Sequence, residues 1–176
     1  QMCIRDRPYT YPRNQAELTT YDYRVSEEMD KMEGAYDYDA VVSVQWPFGY
    51  GQSYTTFEYS NLTVDKSSFT AGDTLTFTVD VTNTGKRLGK ETVMLFSSDL
   101  VASLTPENRR LRAFDKIELK PGEKKTVSLS IPASALAFVG HDGHWTLEKG
   151  DFRIQAGNQT VNVNCTATHI WNTPNK

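Results

Sequence analysis

The sequence predicts an all-β domain, a two-sheet antiparallel sandwich of about seven or eight short strands. Three observations carry that expectation. In Thr74-Leu75-Thr76-Phe77-Thr78-Val79-Asp80-Val81, apolar residues alternate strictly with polar ones, which is the period of a half-buried strand. In Lys120-Pro121-Gly122-Glu123, proline at the second and glycine at the third position specify a type II turn between two further alternating runs. From Phe57 to Ala167, short runs recur between turn signals with no sustained helical period.

Taken in chain order, residues 1–7, Gln1-Met2-Cys3-Ile4-Arg5-Asp6-Arg7, resemble the translation of a transposon-type sequencing adapter. They are set aside from fold reasoning, and an incomplete reading frame is expected. Pro8-Tyr9-Thr10-Tyr11-Pro12-Arg13 is expected to be extended, because each proline is excluded from a helix interior and restrains the residue before it. Between Arg24 and Gly34, Val25, Met29 and Met32 share a helical stripe, Glu27 and Lys31 form an i,i+4 pair and Ser26 can cap, so a short helix is expected. Tyr36-Asp37-Tyr38-Asp39 echoes Tyr21-Asp22-Tyr23 without making a repeat. The run Trp46-Pro47-Phe48-Gly49-Tyr50-Gly51-Gln52-Ser53-Tyr54-Thr55-Thr56-Phe57 then marks a junction. Its glycines permit unusual backbone angles, while its aromatics are costly to leave in water, so a turn packed between two bodies fits both.

Beyond the junction, strands are expected at 57–64, 74–81, 92–96, 136–139, 145–147, 151–156 and 160–167, with turns at Asn83-Thr84-Gly85, Gly140-His141-Asp142-Gly143 and Gly157-Asn158. Thr92-Val93-Met94-Leu95-Phe96 is apolar almost throughout, as in a central strand covered on both sides. Ile117 and Leu119 are read as one arm of a hairpin, with Val127, Leu129 and Ile131 on the other. Phe114 is out of phase with Ile117, which predicts a bulge near Asp115 or Lys116.

The junction closely resembles the hinge of family 3 glycoside hydrolases, Pro-Phe-Gly-Tyr-Gly-Leu-Ser-Tyr-Thr-Thr-Phe, with Gln52 standing where those enzymes usually have leucine. Tyr9 to Arg13 resembles the tail of their Leu-Pro-x-Thr-Phe-Pro-Arg segment. Asn83-Thr84-Gly85, Gly89, Ala102-Ser103, Pro106, Leu111, Phe114, Pro121-Gly122-Glu123 and Gly150-Asp151-Phe152 continue the match, with Thr105 departing from a common arginine. The resemblance implies a remnant of the catalytic α/β sandwich domain at 8–46, a hinge at 47–56, an immunoglobulin-type, fibronectin type III-like domain at 57–167 and a tail at 168–176. It also implies a β-glucosidase-like or β-xylosidase-like parent acting on carbohydrate, catalytic domains of the same chain as partners, and a periplasmic or extracellular location. Trp46, Phe48, Tyr50 and Tyr54 are the expected domain seam, with Tyr21 and Asp22 as residues bordering a cleft.

A formal net charge of −3, from 19 basic and 22 acidic residues interspersed among 176, leaves no basic face for nucleic acid and no polybasic membrane patch. No apolar run approaches the roughly 18 to 20 residues of a membrane-spanning helix. Cys3, Cys165 and three scattered histidines give no metal-ligand spacing, and no cofactor motif is present. His141 and His144 flank a glycine turn with only Asp142 beside them, the composition of a polar hairpin tip. Asn61, Asn158 and Asn164 each open an N-glycosylation triplet, a pattern too short to carry weight.

Retaining glycoside hydrolysis needs two carboxyl groups about 5 to 5.5 Å apart. Glu27 and Glu28, if helical, diverge by about 100° and cannot clamp one bond, and Asp37 and Asp39 read as a solvated loop. In the resembled family both catalytic carboxylates precede the Pro12-Arg13 segment, so no catalytic residue is expected in this chain. The alternative is a carbohydrate-binding or adhesion-type module. Its candidate aromatics, Tyr59, Phe69, Phe138 and Trp145, are scattered, and the hinge run argues against a free-standing domain.

Overall fold

The computed structural model describes residues 11–13, 44–104 and 109–172. The strands are β1 (Tyr11–Pro12), β2 (Val44–Trp46), β3 (Phe57–Val64), β4 (Ser68–Phe69), β5 (Thr74–Asn83), β6 (Gly89–Asp99), β7 (Arg110–Leu119), β8 (Lys124–Pro132), β9 (Phe138–Val139), β10 (Trp145–Leu147), β11 (Gly150–Ala156), β12 (Gln159–Cys165) and β13 (His169–Trp171). Two sheets make the sandwich, one of five strands in the order β4-β12-β11-β6-β7 and one of three in the order β3-β5-β8. A smaller sheet, β13-β10-β9, and the pair β1-β2 complete the described strands. All pairings are antiparallel except β12 with β4, where Asn164 lies beside Ser68 in a parallel contact.

The core follows from the alternation. Leu75, Phe77, Val79 and Val81 of β5 and Val127, Leu129 and Ile131 of β8 turn inward from one sheet. Val93 and Leu95 of β6, Ile117 and Leu119 of β7, and Phe152 and Ile154 of β11 meet them from the other. Phe69 closes one edge, its ring 6.0 Å from that of Phe152. Each such side chain contributes about 1.5 to 3 kcal/mol by leaving water, so this interlayer is the main source of the domain's stability. The expected central strand is β6, flanked by β11 and β7, with Phe96 buried although it points away from the interlayer.

Four expectations are corrected. The hairpin around Pro121-Gly122 is not one, because β7 pairs with β6 in the five-stranded sheet and β8 pairs with β5 in the three-stranded sheet. Ile117 and Leu119 do share the core with Val127, Leu129 and Ile131, but from the other sheet of the sandwich. The turn itself has the predicted chemistry, with Gly122 at φ +74° and Glu123 N–H donating to Lys120 C=O at 3.0 Å. Its remaining groups extend the β5–β8 ladder: Asn83 N–H donates to Glu123 C=O and Gly122 N–H to Asn83 C=O, both at 2.9 Å.

The bulge in β7 lies earlier than expected. Leu95 pairs with Ala113 and Phe96 with Leu111, so Arg112 is the extra residue. Phe114 is out of phase with Ile117 simply because it faces outward, 66% exposed. A second irregularity interrupts β3, where Asn61 adopts φ +55° and residues 61 and 62 fall out of the ladder with β5. The strand expected at 136–139 is instead a 3-10 helix, Ala133–Leu136, followed by the two residues of β9. Alanine and leucine after Pro132 favour the helical turn, and its C-cap Ala137 N–H donates to Ser134 C=O at 3.2 Å. The fourth correction concerns the tail, in which His169–Trp171 forms β13 and pairs with β10. The short helix expected between Arg24 and Gly34 lies outside the described residues.

Candidate functional site: the aromatic seam and its polar anchor

The junction is a two-faced clasp. Val44–Trp46 pairs with Tyr11–Pro12, placing Tyr11 opposite Trp46. The next four residues form a turn in which Tyr50 N–H donates to Pro47 C=O at 3.1 Å. Gly49 has φ +77°, which favours glycine, and a Cβ there would stand close, 3.1 Å from Met94 Cε and 3.2 Å from Phe96 Cζ. The turn thereby lies directly on the outer face of β6. Phe48 meets Phe96 edge-to-face at 6.0 Å and 89°. Arg109 fixes the same place twice, donating from Nη2 to Phe48 C=O at 3.0 Å and setting its guanidinium 4.8 Å from the centre of the Phe96 ring.

The other seam aromatics form a separate stack. Trp46 lies 6.2 Å from Tyr50 with planes 17° apart, and Tyr11 meets Trp46 edge-on at 5.7 Å. Tyr50 is 38% exposed and Tyr54 68% exposed. Of the predicted seam residues, Phe48 therefore turns onto the sandwich, Trp46 and Tyr50 stack together, and Tyr54 stands in solvent. Tyr21 and Asp22 lie outside the described residues, as do Glu27, Glu28, Asp37 and Asp39.

Downstream, the segment is anchored by a residue that the sequence reading took only for a strand-ending turn. Asn83 is 0% exposed and all its side-chain capacity is used. Its Oδ1 accepts from Thr55 Oγ1 at 2.7 Å and from Gly85 N–H at 3.0 Å. Its Nδ2 donates to Arg87 C=O at 2.8 Å and to Leu119 C=O at 3.0 Å. Asn83 thus binds the end of the junction, the β5–β6 loop and the end of β7 at one point. Thr55 enters because Gly85 and Gly89 have no side chains; a Cβ on either would collide with it. The one sequence signal was the triplet Asn83-Thr84-Gly85, whose tertiary partners lie far along the chain.

Three carboxyl groups and a thiol among the described residues are shifted by their surroundings. Asp80 is held well below the usual carboxylate range, first by Lys124 and then by Thr126 and Asn61, all hydrogen-bonded to it. Asp73 is lowered to about 2, chiefly by Lys66, with the backbone and hydroxyl of Thr70 adding to it. Asp99 moves the other way because burial penalises its charge and Glu148 repels it, against a hydrogen bond from Val101 N–H. Burial likewise raises the Cys165 thiol, which donates to Ala167 C=O at 3.3 Å. Asp142 accepts from His144 N–H at 3.0 Å, the geometry of a turn tip, and no group of three or more metal-ligating side chains occurs among the described residues. Phe69 belongs to the core, so the four aromatics considered for a sugar-binding row do not form one.

Residues 91–160 match the family described as fibronectin type III-like domain. Over 167 residues the chain is 36% identical to the lysosomal beta glucosidase of Dictyostelium discoideum, covering 89% of this chain and 19% of that protein. It is 34% identical over 163 residues to the periplasmic beta-glucosidase of Salmonella typhimurium, covering 89% of this chain and 21% of the relative. Among solved structures, a β-glucosidase from Erythrobacter marinus superposes with a TM-score of 0.75 at 30% identity over 89% of this chain and 21% of its own. Beta-glucosidase 3B from Thermotoga neapolitana, solved with α-D-glucose, gives 0.67 at 31% identity over 74% of this chain and 18% of its own. The chain therefore spans about a fifth of the length of these relatives.

Proposed function

We propose that this chain, which belongs to the C-terminal, fibronectin type III-like part of the family 3 glycoside hydrolases, serves a parent enzyme that hydrolyses O-glycosidic bonds of β-glucoside or β-xyloside type. Its sandwich is the non-catalytic brace of that enzyme, and the segment from Trp46 to Phe57 is where the catalytic domains hand over to it. The observation that carries this reading is the clasp itself: Phe48 and Gly49 lie on Phe96 and Met94 of the sandwich, while Tyr50 and Tyr54 of the same segment face outward. A seam built to join two bodies has to present both surfaces. The mechanism is mechanical. Arg109 and Asn83 hold the two ends of the seam by charge-assisted and buried hydrogen bonds, so the orientation of whatever precedes it is transmitted to a rigid sandwich. Periplasmic or extracellular location and a carbohydrate substrate belong to the parent on this reading. Among the described residues, no helix is long and apolar enough to cross a membrane.

The test is to sequence the gene upstream of the codon for residue 8 and to assay the completed protein. An in-frame catalytic region and hydrolysis of aryl β-glucosides or β-xylosides are expected, with the 176-residue chain inactive on both. Trp46→Ala and Phe48→Ala in the complete enzyme should lower its activity or thermal stability while the sandwich stays folded. An unrelated upstream domain, or seam variants that behave as wild type, would reject the assignment.

A further inference from the structure

The outer face of the five-stranded sheet is divided into two halves of opposite character. On β11 and β12 the side chains turned away from the interlayer are Asp151, Arg153 and Gln155, paired across the ladder with Asn164, Asn162 and Thr160. All six are polar, as expected of a sheet face that meets water. On β6 and β7 the same face is apolar. Met94 pairs with Phe114, and beyond the Arg112 bulge Phe96 pairs with Leu111. The turn at 47–50 covers the β6 half of this patch, with Gly49 over Met94 and Phe48 on Phe96. Among the described residues its β7 half is left open, Phe114 exposed and Leu111 half-buried.

We propose that the β7 half of this face, Phe114 with Leu111, is a docking surface for the domain that precedes Trp46 in the parent chain. The inference rests on the handover at the junction proposed above and adds the side of the sandwich on which the preceding domain lies. Three observations favour that occupant. The patch is continuous with the turn, since Met94 lies under Gly49 and beside Phe114. Chain from before the junction already stands there: β1 is paired with β2, and Trp46 at the end of β2 stacks on Tyr50. Size argues against a free partner. A buried aromatic side chain removes about 150 to 250 Å² from water, so Phe114 and Leu111 fall well short of the roughly 800 Å² per partner of a standard complex. A tethered domain needs far less, because its linker holds it at high effective concentration. Pairing of a second copy along the β7 edge is opposed by the Arg112 bulge and by the charges of Arg110, Asp115, Lys116 and Glu118 on that strand. The polar half of the face, on β11 and β12, stays in solvent.

The experiment is maleimide labelling of two cysteine variants, Phe114→Cys on β7 and Asn162→Cys on β12, each made in the 176-residue chain and in the completed parent chain. Both positions are exposed, so both should react readily in the short chain. In the completed chain, labelling at 114 should slow about tenfold or more, because reaction then waits on opening of the interface, while labelling at 162 keeps its rate. Peptide mapping separates both sites from the buried Cys165 thiol. Phe114→Ser gives a second reading, a melting temperature unchanged in the short chain and lowered by about 2 °C or more in the completed one. Equal labelling at 114 in the two chains, or equal slowing at 114 and 162, would overturn the proposal. So would protection at 114 that rises with the concentration of the short chain, which would make a second copy the occupant. Labelling reports where the preceding domain lies whatever it catalyses, and the hydrolysis assay reports what it catalyses wherever it lies, so failure of one idea is distinguishable from failure of the other.

Discussion

The two ends of the junction differ in how completely they are closed. At Thr55 the segment ends in a site where Asn83 is fully buried and every polar atom of its side chain has a partner. One residue earlier Tyr54 is 68% exposed, and Tyr50 stands half in solvent. The contrast separates two kinds of importance. Residues turned toward the sandwich determine whether this chain folds, whereas residues turned away contribute stability only when something covers them. Outer-face aromatics on a marginally stable domain are otherwise a liability.

Substitutions rank along that division. Phe77→Ala, in the interlayer, should cost about 3 to 5 kcal/mol, read as a lower denaturation midpoint with the slope preserved. Asn83→Ala should cost about 2 to 3 kcal/mol, since it orphans the Gly85 amide and the Leu119 and Arg87 carbonyls together. Asn83→Asp tests the same hub more finely, because it keeps the acceptor for Thr55 and loses both donors; a wild-type melting temperature for either variant would break the comparison. Phe48→Ala should cost about 1 to 2 kcal/mol and release hydrogen-exchange protection at Tyr50 without affecting β5, because the edge-to-face contact with Phe96 is local.

Acid sharpens the same contrast on the sandwich surface. The folded values of Asp73 and Asp80 lie below their unfolded ones, so their stabilisation is complete above the ordinary carboxylate value of 3.8 and is lost as pH falls, toward about 2 for Asp73. Asp99 has the opposite sign; its raised value favours the folded state at low pH and opposes it as pH rises. The folded fraction should therefore fall between about pH 4 and 2, and Asp73→Asn should flatten that fall. Ion pairs on this surface set only a modest slope. The smallest effect belongs to Tyr54→Ala, expected to stay within about 0.5 kcal/mol in this chain. A loss comparable to that of Phe48→Ala would mean that Tyr54 is covered here after all.

Much of the architecture was legible from residue order. Alternation named the inward faces of β5 and β8 correctly, and the glycine-aromatic run marked a turn, which the structure has at Pro47–Tyr50. Less of the site was legible. Met94 and Phe96 read as the interior of a strand, although their outward faces receive the turn. Arg109 carried no local signal at all, because the carbonyl it binds, that of Phe48, lies 61 residues away.

What the sequence determined by itself was of short range: the apolar sides of β5 and β8, the turn at Pro121-Gly122, and that Gly122 and Gly49 accept positive φ. Only tertiary structure decided which strands pair. Pro121-Gly122 turns the chain whether its arms lie in one sheet or two, and the backbone of Asn83, bonded to Gly122 and Glu123, commits the second arm to β5. Side-chain period records the face that must be buried and is silent about which edge supplies the hydrogen bonds. That choice depends on groups nearly forty residues away, such as Asn83 and Leu119, which meet only when the sandwich has closed.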